Sequence, residues 1–464
     1  MEVAYLKNFV GLAALSSVLL VAQPTRQTML RAMASKIKKA DPNAKIPPFS
    51  KNHPQLRIYK VFFTMVVAAW LQVMVSGRHD CFPPANNDLK EIFIHNLYKK
   101  DYNLPDETIF QLTLTNFATS GLVSLYIGAF ADRFGRKSTN VLFTACYGAA
   151  ACLAMVPEIP ALFAGRFLGG IAQAIMFSVL DSWIVGDFFT RKLITQGCDL
   201  YRTFGTLGVI NSFAAVACGV LGDRLIWATA SNKAPFVLSW LVMWQAMQAV
   251  WSKMREAYGA VSTDDIELKK NTPTLSAFYR RPYIWALTFS AMVFEGSAFL
   301  FAFSAIPVLK SVHKAKTELP TTYLFACIMT SALVGSLSFN ILMVSRKIRF
   351  VRLMSFILLG ANIVCYHLAR PRTERRTFWL SNAFGLLIGF YYPCMGTLKA
   401  RLVDEGIRST IFSLLRAPIY LYVVAQLLLN QDAPTTARLF QSSAWWFTAS
   451  FGVMWLISFH KKLP

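Results

Sequence analysis

The sequence predicts an all-α polytopic membrane protein, and three observations carry that prediction. Of 464 residues, 55% are hydrophobic and only 15% charged, with a positive mean hydropathy, a balance that soluble globular chains rarely reach. Thirteen stretches each hold the ~20 mostly apolar residues that cross a bilayer as a helix. Short charged loops divide them, the densest being 128–137, Gly-Ala-Phe-Ala-Asp-Arg-Phe-Gly-Arg-Lys. Stretches of this length without strict alternation exclude a β-barrel.

The first stretch, 3–22, is apolar with Lys7 near its start. No small-residue cleavage site follows it and the next region is strongly basic, so it reads as an uncleaved anchor helix with its N-terminus outside. Residues 23–57, with Pro24, Pro42, Pro47, Pro48 and Pro54 among many basic side chains, read as a partly disordered cytoplasmic linker. Residues 1–57 thus form an anchor and linker.

Spans at 58–76, 108–131, 139–156, 161–186, 200–222 and 234–252 make a first bundle, 58–252. Its external loop after the first span contains no Asn-x-Ser/Thr sequon. Residues 253–282 form a mixed-charge cytoplasmic loop. Spans at 283–306, 320–344, 351–369, 377–398, 408–429 and 441–459 make a second bundle, 283–464. Six spans, a linker and six spans is the organisation a duplicated transporter needs to rock one bundle against the other.

The net charge of +23 does not indicate nucleic acid, because Lys and Arg are scattered through the loops rather than gathered on one face. Placing loop 128–137 in the cytoplasm gives roughly a two-to-one cytoplasmic excess of Lys and Arg, as the positive-inside rule requires. Arg370–Arg376, external by this count, dissents with four arginines. Of eight cysteines only Cys81 falls in an external loop, so no disulfide network is expected. His53, His79, His95, His313, His367 and His460 are isolated. Neither a metal site, a cofactor site nor a nucleophile–base pair is therefore expected, and an enzyme is a poor reading.

Charges inside spans cost ~2.5 to 3.5 kcal/mol each even on insertion scales, so they are kept where they face a cavity or a partner. The deep set is Arg166, Asp181, Arg202, Glu295 and Arg416. At ~1.5 Å per residue, Glu295 and Arg416 lie ~18 and ~12 Å from the cytoplasmic ends of their helices, bracketing the midplane where transporter sites are expected. The planar guanidinium fork suits a tetrahedral oxyanion. Arg202 and Arg416, one from each bundle, form a candidate anion clamp; the alternative is structural ion pairing of Arg202 with Asp181 and of Arg416 with Glu295.

Glu295, and less favourably Asp181, are candidate proton carriers, since a midplane carboxylate is a costly charge. Gln72, Tyr391 and Tyr392 are candidate neutral donors to the anion, or packing residues. Pro418, like Pro393, removes a helical hydrogen bond and marks a gating kink. Arg166, near the external end of its span, is structural or part of a proton relay.

Gly128-x-x-x-Asp132-Arg133-Phe134-Gly135-Arg136-Lys137 resembles the signature between the second and third helices of the major facilitator superfamily. Arg166-Phe-Leu-Gly169-Gly170 resembles that superfamily's fourth-helix motif. A narrower likeness covers most of the chain. Ala68-Ala69-Trp70-Leu71-Gln72, Phe177–Trp183, Glu256–Gly259, Phe294-Glu295-Gly296, Pro307–Leu309, Gly389–Pro393 and Leu415–Pro418 resemble the molybdate-anion transporter family. Ala69 stands where that family has an acidic residue, Ala305-Ile306 replaces a Trp-Thr pair, and an insertion occupies Arg78 to Ile92.

The resemblance implies a major facilitator fold, two six-helix bundles plus an extra N-terminal transmembrane helix, in the plasma membrane or an internal one. It implies a secondary active transporter working by alternating access on a small anionic solute such as molybdate, with protons as a candidate coupling ion. The alternatives are another small organic or inorganic solute, or a non-transporting receptor or scaffold. Within such a fold Asp132 is expected at the start of the helix near Ser409, with Gly128, Arg133, Gly135 and Arg136 completing a gate that ties the halves together.

Overall fold

A computed structural model describes residues 2–23, 54–76, 97–191, 193, 198–256, 282–313, 319–344, 348–403, 405–429 and 436–459. Most of the expected linker after the first helix lies outside these residues. So do Cys81 and its loop, most of the 253–282 loop, and His53, His79, His95 and His460.

Sixteen α-helices are described: α1 Glu2–Val21, α2 Pro54–Ser76, α3 Asp106–Ser124, α4 Ile127–Phe134, α5 Arg136–Leu153, α6 Ile159–Met176, α7 Val179–Thr190, α8 Leu200–Thr229, α9 Ala234–Lys253, α10 Pro282–Val312, α11 Thr321–Val344, α12 Phe350–Leu368, α13 Glu374–Leu402, α14 Arg408–Leu414, α15 Ala417–Leu429 and α16 Thr436–Ser458. A π-helical turn, Leu97–Asp101, precedes α3. Each expected span falls on one of these helices or on a consecutive pair.

Among the described residues seven helices have the length and hydropathy to cross a membrane, and the α3–α4 pair, bent by 50°, makes eight. The other expected spans, α2, α5, α9, α13 and α16, dilute their apolar residues with Ser, Thr, Gly, Gln, Tyr and Trp. The small ones let helix pack closely against helix, while Trp244, Trp251, Trp445 and Trp455 remain exposed on the outer face.

Three spans break mid-course, between α3 and α4, between α6 and α7 at Phe177–Ser178, and between α14 and α15 at Leu415–Arg416. Pro418 explains the last, since its missing N–H withdraws a bond from the turn before it. In α13 Pro393 leaves the Gly389 carbonyl without its helical donor, yet the helix continues. The Ser336 hydroxyl of α11 donates to that carbonyl at 3.1 Å instead.

Each half has its own apolar core. Phe294, Phe339, Met354, Phe384 and Phe447 centre the one formed by α10–α13 and α16. Met65, Phe143, Trp183, Phe188 and Met243 centre the other, which Ile411, Phe412 and Leu415 join from the opposite half. A third cluster, with Phe117, Leu300, Tyr420 and Val423, spans the two halves. The halves meet chiefly along α8 with α11 and α13, and along α3 with α15. α1 lies against α11, where the Tyr5 ring meets Phe378 edge-on at 5.2 Å and its hydroxyl donates to Glu374.

Candidate functional site

The helix breaks set up the site. With α6 interrupted, the Phe177 carbonyl is released from the helical ladder, and Arg416, itself in the break before α15, donates to it through Nε at 3.0 Å. The guanidinium also stacks over the Phe177 ring, 4.8 Å from its centroid. One cation is thereby fixed between interrupted helices of opposite halves.

Glu295 of α10 closes the site. Its carboxylate pairs with Arg416 Nη1, lies 3.5 Å from Lys399 Nζ and accepts the Tyr391 hydroxyl at 3.1 Å. Arg416, Lys399 and Glu295 are 2%, 3% and 1% exposed, so one carboxylate is shared by two desolvated cations. Tyr391 is held from behind by Phe294, stacked at 3.9 Å, which fixes the hydroxyl that orients Glu295.

These charges border a cavity of about 540 Å³ lined from both halves, by Trp70, Asp181 and Asn211 on one side and Glu295, Tyr392, Lys399 and Arg416 on the other. Trp70 donates to Asn211 at 3.1 Å. Asp181 lines the cavity with no hydrogen bond or ion pair among the described residues. Among the lining charges, Arg416 and Lys399 thus share Glu295, while Asp181 is unengaged.

The expected site residues sort as follows. Gln72, Asp181, Glu295, Tyr392, Arg416 and, further along, Arg166 line the cavity. Tyr391 is fully buried behind Glu295. Arg202 is not among the lining residues, and it makes no ion pair with Asp181. The second cation beside Glu295 is instead Lys399, so both cations at that carboxylate come from the C-terminal half. The expected span ended at residue 398, which left Lys399 outside. Seven positions after Tyr392 it repeats the same helical face, and extending that face would have found it.

At the far end of the bundle the two halves are tied by a latch. Asp132 Oδ2 accepts the Thr410 backbone N–H and the Thr410 hydroxyl, both at 2.9 Å. Arg136 bridges Asp132 Oδ1 at 3.1 Å and Ser409 Oγ at 2.8 Å, and Ser182 Oγ lies 2.7 Å from Ser409 Oγ. A Cβ on Gly128 would overlap the Ser409 carbonyl and lie 2.6 Å from Ser413 Cβ. Gly135 turns the chain at φ +104°, where side-chain-bearing residues are strained, and two residues on the Lys137 N–H donates to Glu256 at 2.8 Å. Arg133 differs from expectation: it is exposed and stacks over its neighbour Phe134, 5.4 Å from the ring centroid, and among the described residues it ties no second helix.

Outside the spans at the opposite end, burial pushes the Tyr102 phenol up to about 12. Its ring carries the Lys233 ammonium 5.4 Å from the centroid, and its hydroxyl donates to the Ala154 carbonyl at 3.2 Å. This neutral phenol fastens the segment after the π-helical turn over α5.

The sequence profile of a family described as sugar transporters with twelve transmembrane segments matches residues 81–390. A molybdate-anion transporter of Xenopus tropicalis is 24% identical over 389 residues, covering 82% of this chain and 79% of that protein. The molybdate-anion transporter of Takifugu rubripes is 22% identical over 373 residues, 72% of this chain and 74% of that one. The crystal structure of the human organic anion transporter MFSD10 shares the fold with a TM-score of 0.61 at 14% identity, covering 86% of this chain and 99% of that one.

Proposed function

The chain belongs to this twelve-helix family of the major facilitator superfamily, whose members are integral multi-pass membrane transporters, and from that premise we propose that it carries a small oxyanion such as molybdate by alternating access. The observation that carries the reading is the sharing of Glu295 between Arg416 and Lys399 on the wall of a cavity lined by both halves. A tetrahedral dianion matches that pair of cations in charge and in donor geometry. The names of the molybdate-anion transporters supply the candidate.

Glu295 occupies the donors the anion needs, so the anion competes with it. Protonating Glu295 removes its charge, releases Arg416 and Lys399, and leaves them to the oxyanion; releasing the proton on the other side restores the pair and expels the anion. Proton and anion therefore travel together. Asp181, on the same wall, is the second group able to take a proton as negative charge arrives. The two six-helix bundles, joined through the 253–282 segment, rock about this site, and the Asp132–Thr410 latch shuts the inner end while the outer end admits substrate.

A second reading, a neutral sugar-sized solute, is favoured by the size of the cavity and by the Trp70–Asn211 pair, an aromatic face with an adjacent amide suited to a polyol. One experiment separates them. Full-length protein in proteoliposomes is tested for uptake of molybdate, sulfate, phosphate and a panel of neutral sugars, with and without an inward proton gradient. Saturable oxyanion uptake accelerated by the gradient supports the first reading. Sugar uptake without oxyanion uptake establishes the second.

A further inference from the structure

We infer that the cavity holds a second anion subsite, centred on Arg166, in which a small oxyanion pauses before it reaches Arg416 and Lys399. This inference rests on the oxyanion reading above.

Arg166 lines the same cavity from α6, but at a different depth. It precedes Phe177 by eleven positions, which places them ~16 Å apart along the helix axis. Arg416 is fixed at Phe177 by its Nε bond and its stacking. Helical side chains lean toward the N-terminus, so the Arg166 guanidinium is directed further from Phe177. One tetrahedral oxyanion cannot touch both guanidinium groups at once, whereas the 540 Å³ cavity has room for an anion at each.

The two arginines also differ in what satisfies them. Arg416 is neutralised by Glu295. Arg166 has no carboxylate within 4.0 Å among the described residues; its contacts are the Tyr98 hydroxyl at 3.0 Å and the Tyr98 ring face at 5.2 Å. Its Nε is buried with no hydrogen-bond partner. Asp223 lines the cavity from α8 but is not within ion-pair reach of it. A guanidinium inside a span, without counter-charge and with one N–H unused, is costly to keep. An incoming oxyanion supplies what it lacks.

The surrounding wall is shaped for such a ligand. Gly165 and Gly169 line the cavity beside Arg166 and leave it uncovered. Gln173, seven positions on and on the same helical face, accepts the Asn116 amide at 2.6 Å through its carbonyl. With its oxygen accepting from Asn116 and Ser120, Gln173 keeps its amide nitrogen as a donor for a ligand. Arg166 and Gln173 together present a charged fork and a neutral donor on one face, the combination that holds an oxyanion without the tightness of two cations. The subsite lies toward the end of the bundle opposite the Asp132 latch, because α5 runs away from Gly135 and α6 begins at its far end. It thus meets substrate first.

The test is equilibrium binding of radiolabelled molybdate to purified full-length protein in lipid nanodiscs. Wild type is expected to bind two equivalents per chain. Arg166→Gln is expected to bind one, and Arg166→Lys two, with one class weakened several-fold. Thermal midpoints check that each variant is folded; should Arg166→Gln fail to fold, Gln173→Leu is expected to weaken one class several-fold and leave the other unchanged. Molybdate binding to folded Arg166→Gln with the stoichiometry and affinities of wild type overturns the subsite and leaves the oxyanion reading intact. No molybdate binding to wild type overturns both.

Discussion

One carboxylate oxygen of Asp132 accepts two hydrogen bonds from a single residue of the opposite half, the backbone N–H and the hydroxyl of Thr410, each 2.9 Å long. Asp132 is 2% exposed, so the latch is a desolvated anion at the start of a helix, where free N–H groups and the helix dipole both favour negative charge.

Asp132→Asn removes that charge and the Arg136 ion pair. A hydrogen bond to a charged group contributes ~1.5 to 3 kcal/mol, so the latch equilibrium is expected to move at least about tenfold toward opening. The measurement is maleimide labelling of Ser182→Cys, a position whose hydroxyl meets Ser409, in a background without other reactive thiols. Labelling should accelerate and uptake should fall, while molybdate binding persists. Unchanged labelling and uptake would remove the gating role.

Gly128→Val attacks the same closure by volume. Its Cβ would meet the Ser409 carbonyl, and no rotamer relieves a clash at Cβ. The inner end is expected to stay open, with fast Ser182→Cys labelling and uptake reduced to near background. Slow labelling of this variant would show that the two helices separate without opening the inner end.

Glu295→Gln strips the counter-charge from Arg416 and Lys399. Breaking one partner out of a buried pair costs ~3 to 5 kcal/mol, so the thermal midpoint should drop without substrate. Added molybdate should then raise it by more than it raises wild type, since the anion refills the vacated charge. On the proposed coupling, acidification should promote wild-type uptake by protonating Glu295; the glutamine variant has no proton to gain there, and its pH dependence should flatten. A pH profile identical to wild type would exclude Glu295 as the coupling group.

Lys399→Gln leaves Glu295 paired with Arg416 but removes one donor from the anion. At ~1.5 kcal/mol for a single charge-assisted bond, KM for molybdate should rise about tenfold, with Lys399→Arg recovering most of the loss. Neutral replacement with no change in KM would place Lys399 outside the substrate's reach.

Ser336→Ala tests the repair of α13. Without its hydroxyl the Gly389 carbonyl opposite Pro393 is an unsatisfied buried acceptor, worth ~1 to 3 kcal/mol. A lower thermal midpoint with unchanged KM is expected, and a variant as stable as wild type would mean that another donor reaches that carbonyl.

Much of this site was legible in the sequence. Arg416, Glu295 and Asp181 stand out because a charge inside an apolar stretch is visible without knowing any neighbour. Asp132 stands out as a charge in a short loop between two spans, but its place at the helix start near Ser409 comes from the resemblance of that loop to the facilitator signature. Lys399 was hidden by the opposite effect: lying where the apolar stretch runs out, it resembled an ordinary basic flank until α13 proved to extend to Leu402.

The sequence by itself determined the helices, their order and the depth of each charge, because hydropathy and the 1.5 Å helical rise are local properties. Only the tertiary structure decided which charges meet. It excluded Arg202 from the cavity wall and from an Asp181 pair, placed Lys399 beside Glu295, and set Arg166 in the same cavity as Arg416 but remote from it. The physical reason is that rotation of each helix about its axis is fixed by packing against its neighbours. A hundred degrees per residue separates a side chain facing the cavity from one facing lipid or a partner helix, and no local pattern specifies that angle when apolar residues surround the helix on every side.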